Sequence, residues 1–195
     1  MIFVDDFLTR RYWDRKPYPF GLGTNIELNY ITMPVEDELA ALQQLKAEGV
    51  DFCVFIVGYV LDMALGCPPK MGYGGSSTAE LKRAIDWLVE NNIQICGHGY
   101  FHTEPEYLNG YRRVARKVKT ILESLGQTVF WWRFPREQIV NEFYIASLGF
   151  EVPKVHGYLD NQLLLRKDIR FLRNYGRGNY VVHSLYITKV IKGEI

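Results

Sequence analysis

The sequence predicts an α/β protein, an irregular or incomplete (β/α) barrel built on a central parallel sheet. Three observations predict it. Strand-like and helix-like stretches alternate at least four times, the signature of parallel βα units. The run Asp51-Phe52-Cys53-Val54-Phe55-Ile56-Val57 is apolar almost throughout, as a strand covered on both faces must be. The length of 195 residues is short for eight full units, yet at 48% hydrophobic it is enough to bury one substantial core. The chain therefore reads as a single domain over 1–195.

Taken in order, Ile2-Phe3-Val4 is a short apolar run ending in Asp5 and Asp6, as an inner strand delivering carboxylates to its C-terminal rim would. From 7 to 34 the chain is rich in aromatic and turn residues without a steady period, a long loop that either covers the barrel end or walls a substrate. Pro34 introduces a helix over 36–48, with Leu39, Leu42 and Leu45 on one face and Gly49 as its stop. After the strand over 51–57, the stretch 61–75, with Pro68-Pro69 and several glycines, reads as a loop. Ser77-Thr78-Ala79-Glu80 matches a capping box and opens a helix that turns Leu81, Ile85 and Leu88 inward. Ile93-Gln94-Ile95-Cys96 then reads as a strand running into Gly97-His98-Gly99-Tyr100-Phe101-His102.

The longest helix is expected over 104–125, with Tyr107, Tyr111, Val114, Val118, Ile121 and Leu125 at helical spacing and Gly126 at its close. A strand over 128–133, a helix over 137–148 with Ile139, Phe143 and Ala146 inward, and a weaker strand over 151–155 follow. The stretch 163–173 suits a helix. The β-branched and aromatic run over 180–187, which holds His183, reads as the last strand.

Composition narrows the partners. Lys plus Arg number 23 against 22 for Asp plus Glu, so net charge provides no argument for nucleic acid or an anionic membrane surface. The cluster Arg112-Arg113-Val114-Ala115-Arg116-Lys117-Val118-Lys119 reads as the solvated face of an amphipathic helix, and the basic stretch over 166–177 likewise as surface. Cys53, Cys67 and Cys96 are odd in number and two lie in strand-like runs, so reduced, buried thiols are expected rather than a disulfide framework. With Met1 as the natural start, the absence of a leader or spanning segment predicts a cytoplasmic protein. The 14% aromatic content would suit sugar stacking where rings reach site loops.

His98 and His102, four positions apart beyond a strand, form with a carboxylate a three-ligand set that suits zinc or another divalent first-row metal and leaves a position open for water. Metal binding brings the pKa of such a water from ~15.7 toward ~7, and a base is still needed to take its proton. Asp5, beside Asp6, is a candidate base. Adjacent strand residues point to opposite faces, so both acids serve one site only where the strand ends and twists. Other readings stand beside this one. The residue after His98 is Gly99, so the His-Glu-x-x-His helix of metalloproteases is absent. A facial triad of a non-haem iron oxygenase uses the same ligand types. The histidines also suit a purely structural role, and the acid pair a helix cap.

Five motifs occur in order: Phe3-Val4-Asp5-Asp6, Val54-Phe55-Ile56-Val57-Gly58, Gly97-His98-Gly99-Tyr100-Phe101-His102, Trp132-Arg133-Phe134-Pro135 and Val181-Val182-His183. Together they resemble the successive motifs of the polysaccharide deacetylases, carbohydrate esterase family four (CE4), over nearly the whole chain. The resemblance implies a metal-dependent hydrolase that removes N-acetyl groups from an amino sugar or glycan, with metal-bound water attacking the amide carbonyl. It implies Asp5 as base, Asp6, His98 and His102 as metal ligands, and Arg133 as the group that orients the base through a charge-assisted pair. His183 would be the acid that protonates the leaving amine, supported by Asp160, with Asp168 as a rival. The backbone near Pro135 and Arg136 would help to hold the oxyanion. The implied cofactor is a divalent metal, zinc first, with cobalt, nickel, manganese or iron as substitutes. The implied partner is an N-acetylated sugar or oligosaccharide.

The chain departs from the family pattern in three places. Gly99 stands where Ser or Thr usually follows the first metal histidine, Arg136-Glu137 stands where Tyr-Gly is usual, and the aspartate motif is reduced to Asp160. These departures keep two further readings open: the same mechanism on a small acylated amine or non-sugar amide, and a non-catalytic glycan-binding barrel.

Overall fold

The structure, a computed structural model, describes residues 1–8, 33–67, 77–100, 111–134, 142–175 and 178–195. Its centre is a five-stranded parallel sheet in the order β3-β2-β1-β5-β4. The strands are β1 (Ile2–Asp5), β2 (Phe52–Ile56), β3 (Ile95–Gly97), β4 (Gly157–Tyr158) and β5 (Tyr180–His183). Isolated parallel bridges extend it beyond β3, from Gly97 to Trp132 and from Trp131 to Glu151. The expected strand over 128–133 is thus reduced to the pair Trp131-Trp132, and the expected strand over 151–155 to a bridge at Glu151. β4 lies a few residues further along the same stretch.

Around the sheet run α1 (Val35–Ala47), α2 (Gly58–Ala64), α3 (Thr78–Glu90), α4 (Tyr111–Ser124), α5 (Glu142–Ser147), α6 (Asp160–Arg166) and α7 (Ser184–Lys192), with a 3₁₀ helix at Ile169–Asn174. The capping box at α3 is formed: Ser77 Oγ accepts from Glu80 N at 3.2 Å and Glu80 Oε2 accepts from Ser77 N at 2.6 Å. Gly49 and Gly126 close α1 and α4 at positive φ, as a left-handed stop requires.

Several expectations are corrected. The start of the stretch read as loop over 61–75 belongs to helix α2 (Gly58–Ala64), whose seven residues are all buried. With no polar face it shows no amphipathic period. The run over 180–187 leaves the sheet after His183, and Ser184, Ile187 and Thr188 recur at helical spacing as the buried face of α7. A short apolar run without polar punctuation does not distinguish strand from helix. The segment over 163–173 is split by Lys167 at φ +50° into α6 and the 3₁₀ helix. In α5 the inward residue is Ile145, and Phe143 is 87% exposed. Ile139, Tyr107 and most of the loop over 7–34 lie outside the described residues.

Both faces of the sheet are buried. Ile2, Val4, Val54, Ile56, Ile95 and Val182 join the large core shared with the helices. The alternate residues Phe3, Cys53, Phe55, Cys96 and Val181 form a second cluster, with Trp131 and Val155 at its margin. This second cluster reports curvature. Phe3 on β1 and Trp131 beyond β3 are three strand spacings apart, about 14 Å in a flat sheet, yet their ring centroids lie 5.6 Å apart. The sheet therefore curls around its inner residues. No described helix is long and apolar enough to cross a membrane, and the three cysteines are free thiols, Cys67 being exposed.

The curl demands small residues where helices and rings crowd the strand ends. A Cβ on Gly97 would lie 2.7 Å from Trp132 Cε3 and 3.1 Å from Val118 Cγ1, and Trp132 is fully buried. Gly97→Ala is expected to lower the unfolding free energy by about 1–3 kcal/mol through overpacking. Urea denaturation followed by tryptophan fluorescence measures it; an unchanged midpoint would contradict the close approach.

Candidate active site

The inner face continues upward into polar residues. Two positions beyond Phe3, Cys96, Trp131 and Val181 stand Asp5, His98, Arg133 and His183, so strand alternation sends all four the same way. They gather at the carboxyl ends of the strands, where open parallel sheets place their sites. Asp5 pairs in register with His183 across β1 and β5. Asp6 takes φ +58°, a left-handed conformation, immediately after β1. That turn meets the condition set by alternation: both carboxylates reach one imidazole, His98 Nε2 lying 3.5 Å from Asp5 Oδ1 and 3.4 Å from Asp6 Oδ1.

Arg133 joins these groups. Its Nη2 lies 3.1 Å from Asp5 Oδ2 and donates to Tyr158 Oη at 3.0 Å, and its guanidinium sits over the Phe55 and Tyr158 rings at 5.8 and 5.7 Å. Its backbone serves the histidine: Arg133 N donates to Gly97 O, and His98 Nδ1 lies 3.1 Å from Arg133 O. A carbonyl can only accept, so Nδ1 carries the proton and Nε2 is the nitrogen turned toward the acids. Asp5 is 3% exposed, His98 2% and Arg133 6%. Asp5 Oδ1 is buried with no hydrogen-bond donor among the described residues. Burial works against a charged His98, but the Asp5 and Asp6 carboxylates outweigh it and raise its pKa above the ordinary value.

A second group stands beside the first. Asp160, the first residue of α6, grips His183 with both oxygens: Oδ1 accepts from the backbone N at 2.9 Å, and Oδ2 lies 2.6 Å from Nδ1. Burial disfavours the imidazolium, yet the Asp160 bond and charge prevail and the His183 pKa is raised. Asp168 is engaged elsewhere, accepting from the backbone and guanidinium of Arg170. Tyr158 was not singled out by the sequence. Its ring stacks on His183 at 5.9 Å and 12° while its hydroxyl meets Arg133, so it spans the two groups. The available signal was an aromatic residue at a strand end two positions before Asp160.

His102, Pro135 and Arg136 lie outside the described residues. Among the described residues no group of three or more His, Cys, Asp or Glu side chains that could hold a metal ion is present. The described donors nonetheless have the chemistry of a cation site. Two carboxylates face one imidazole nitrogen whose partner nitrogen is fixed by a backbone carbonyl, as is common for ligating histidines.

No protein-family model matches the chain, and no curated protein sequence matches it. Among solved structures, a mutant of a CE4 family pseudoenzyme with restored enzymatic activity is similar at a TM-score of 0.52 and 15% identity. The likeness covers 99% of this chain, which spans 62% of that structure. At this identity it shows the fold alone: a CE4-like α/β fold with a central parallel sheet.

The buried ion pair yields a direct test. Arg133→Met leaves the Asp5 carboxylate buried without its counter-ion and is expected to cost about 3–5 kcal/mol of unfolding free energy. Adding Asp5→Asn removes the orphaned charge and should restore part of that loss. Strictly additive losses in the double variant would contradict the pairing.

Proposed function

We propose that the chain is a divalent-metal-dependent deacetylase that hydrolyses the N-acetyl amide of an amino sugar or glycan. The observation that carries this reading is Asp5: held at Oδ2 by Arg133, it keeps Oδ1 without a described donor beside His98 and Asp6. In this reading Asp6 and His98, with His102, hold the metal. When bound, the cation supplies Lewis acidity to a water and to the amide carbonyl.

The chain's own residues do the rest. Asp5 Oδ1 takes a proton from the attacking water, and the Arg133 guanidinium, paired with Oδ2, keeps the carboxylate oriented for it. His183, held through Nδ1 by Asp160, delivers a proton from Nε2 to the departing nitrogen, which leaves poorly as an anion. The Asp160 bond and charge raise its pKa, which favours the protonated ring. The oxyanion would fall to backbone near Pro135 and Arg136, as the resemblance implies. Tyr158, 41% exposed, offers a ring edge at the rim to a sugar. The substrate is an N-acetylated sugar or oligosaccharide, or in the nearest variant a small acylated amine. No nucleic acid or membrane partner enters this reading.

A second reading, a non-catalytic glycan-binding barrel, is favoured by one fact: the similar solved protein belongs to a CE4 pseudoenzyme whose mutant has restored activity. Gly99 and Arg136-Glu137 are where this chain departs from the family pattern. Acetate release separates the two. The deacetylase reading expects release from acetylated glucosamine oligomers or a panel of acylated amines, loss on chelation, and recovery with zinc or cobalt. It expects Asp5→Asn to reduce turnover at least a hundredfold, the lower bound of the general-base range of ~10²–10⁴. Glycan binding without acetate release from any substrate would favour the second reading.

A further inference from the structure

Outside the candidate site, a buried carboxylate, a phenol and an ammonium meet on the far side of the histidine strand. Asp62 on α2 is buried, and Tyr100 Oη donates to its Oδ2. Lys117 on α4 pairs with the same carboxylate, donates to Tyr100 Oη at 2.5 Å and stands 4.2 Å above the Tyr100 ring. Tyr59 packs against that ring in a T-shaped arrangement, with centroids 6.1 Å apart.

The backbone is tied at the same place. Gly58 N donates to Gly99 O at 2.9 Å, and Tyr59 N donates to Tyr100 O at 3.0 Å. His98 N donates to Ile56 O at 3.2 Å. The start of α2 thus receives the carbonyls of Gly99 and Tyr100 while β2 receives the His98 N–H, and Gly58 is small because a Cβ there would meet Val118 and Tyr100 at 2.6 and 2.8 Å. Gly99 at φ +73° is the one residue between His98 and Tyr100. A glycine in that conformation has no side chain of its own to stiffen the turn. Tyr100 is therefore the first side chain after His98 able to fix it, and His102 follows two positions on.

We infer that the Asp62–Lys117–Tyr100 cluster is a positioning clamp for the His98 segment, standing in for the local stiffening that Gly99 does not provide. The inference rests on the proposed metal-binding role of His98. The clamp touches neither metal nor substrate; it acts through the backbone that aims the imidazole. A buried acid held by one cation and one hydroxyl is a costly feature to keep for packing alone, since an apolar trio of the same shape would fill the space.

Zinc titration of the purified full chain by calorimetry tests it. Tyr100→Phe keeps the ring and leaves Asp62 paired with Lys117, and Asp62→Leu removes the acceptor. Both are expected to weaken the zinc Kd about ten- to a hundredfold, as loss of an outer-shell partner does. Asp62→Asn, which still accepts from the phenol, should bind zinc close to wild type. Leu88→Ala, a core deletion in α3, lowers stability without touching the clamp and should leave the Kd unchanged. A wild-type Kd in Tyr100→Phe overturns the clamp while leaving the metal site standing, and so does a Leu88→Ala loss as large as that of Tyr100→Phe. If the wild-type chain takes up no zinc or cobalt, the metal-site reading falls and the clamp with it.

Discussion

Arg133 buried against Asp5 is the interaction on which the upper half of the molecule depends. Removing two charges from water costs several kcal/mol per ion and is offset only when the remaining donors and acceptors are satisfied. Arg133 offsets part of that cost with the Asp5 carboxylate, the Tyr158 hydroxyl and two aromatic faces, while its own carbonyl fixes the His98 tautomer. Reaching all of them requires a curled sheet. Arg133 leaves the segment beyond β3 and Tyr158 belongs to β4 at the opposite edge, so only curvature brings them to 3.0 Å. Phe3, Phe55 and Trp131 beneath supply the apolar floor that holds that curvature.

Charge balance supports the proposed cation. Asp5 and Asp6 bring two negative charges to a region where Arg133 supplies one positive charge and His98 turns Nε2 toward both acids. A proton on His98 or a metal ion completes the neutralisation, and the raised pKa of His98 expresses the same demand. The Asp160–His183 pair is by contrast balanced within itself. Tyr158 lies between the two groups, so both share one aromatic residue.

Much of this was legible in local sequence because it follows strand alternation. The step from Cys96 to His98, from Trp131 to Arg133 and from Val181 to His183 is the step of two that keeps side chains on one face. The Asp5-Asp6 pair even set a condition, a strand end with a twist, that the left-handed Asp6 fulfils. What stayed hidden depends on distant partners. Asp160 and Asp168 are indistinguishable as letters, and only the path of α6 puts the first on His183 while Arg170 occupies the second. Tyr158 and the Asp62–Lys117–Tyr100 cluster are contacts between separate elements with no local signature. Helix α2 is hidden because a run buried all round carries no amphipathic period, and the start of α7 because a short apolar run without polar punctuation suits strand and helix alike.

The central claim is that Asp6 and His98 hold a divalent cation beside Asp5 at the top of a curled parallel sheet. The most direct measurement is an anomalous difference map at the zinc absorption edge from crystals of the full chain grown or soaked with zinc. The account predicts one strong peak within coordination distance of an Asp6 carboxylate oxygen and His98 Nε2, lost in His98→Ala and retained in Asp5→Asn. No peak there, or zinc bound only at surface residues away from Asp6 and His98, would contradict it.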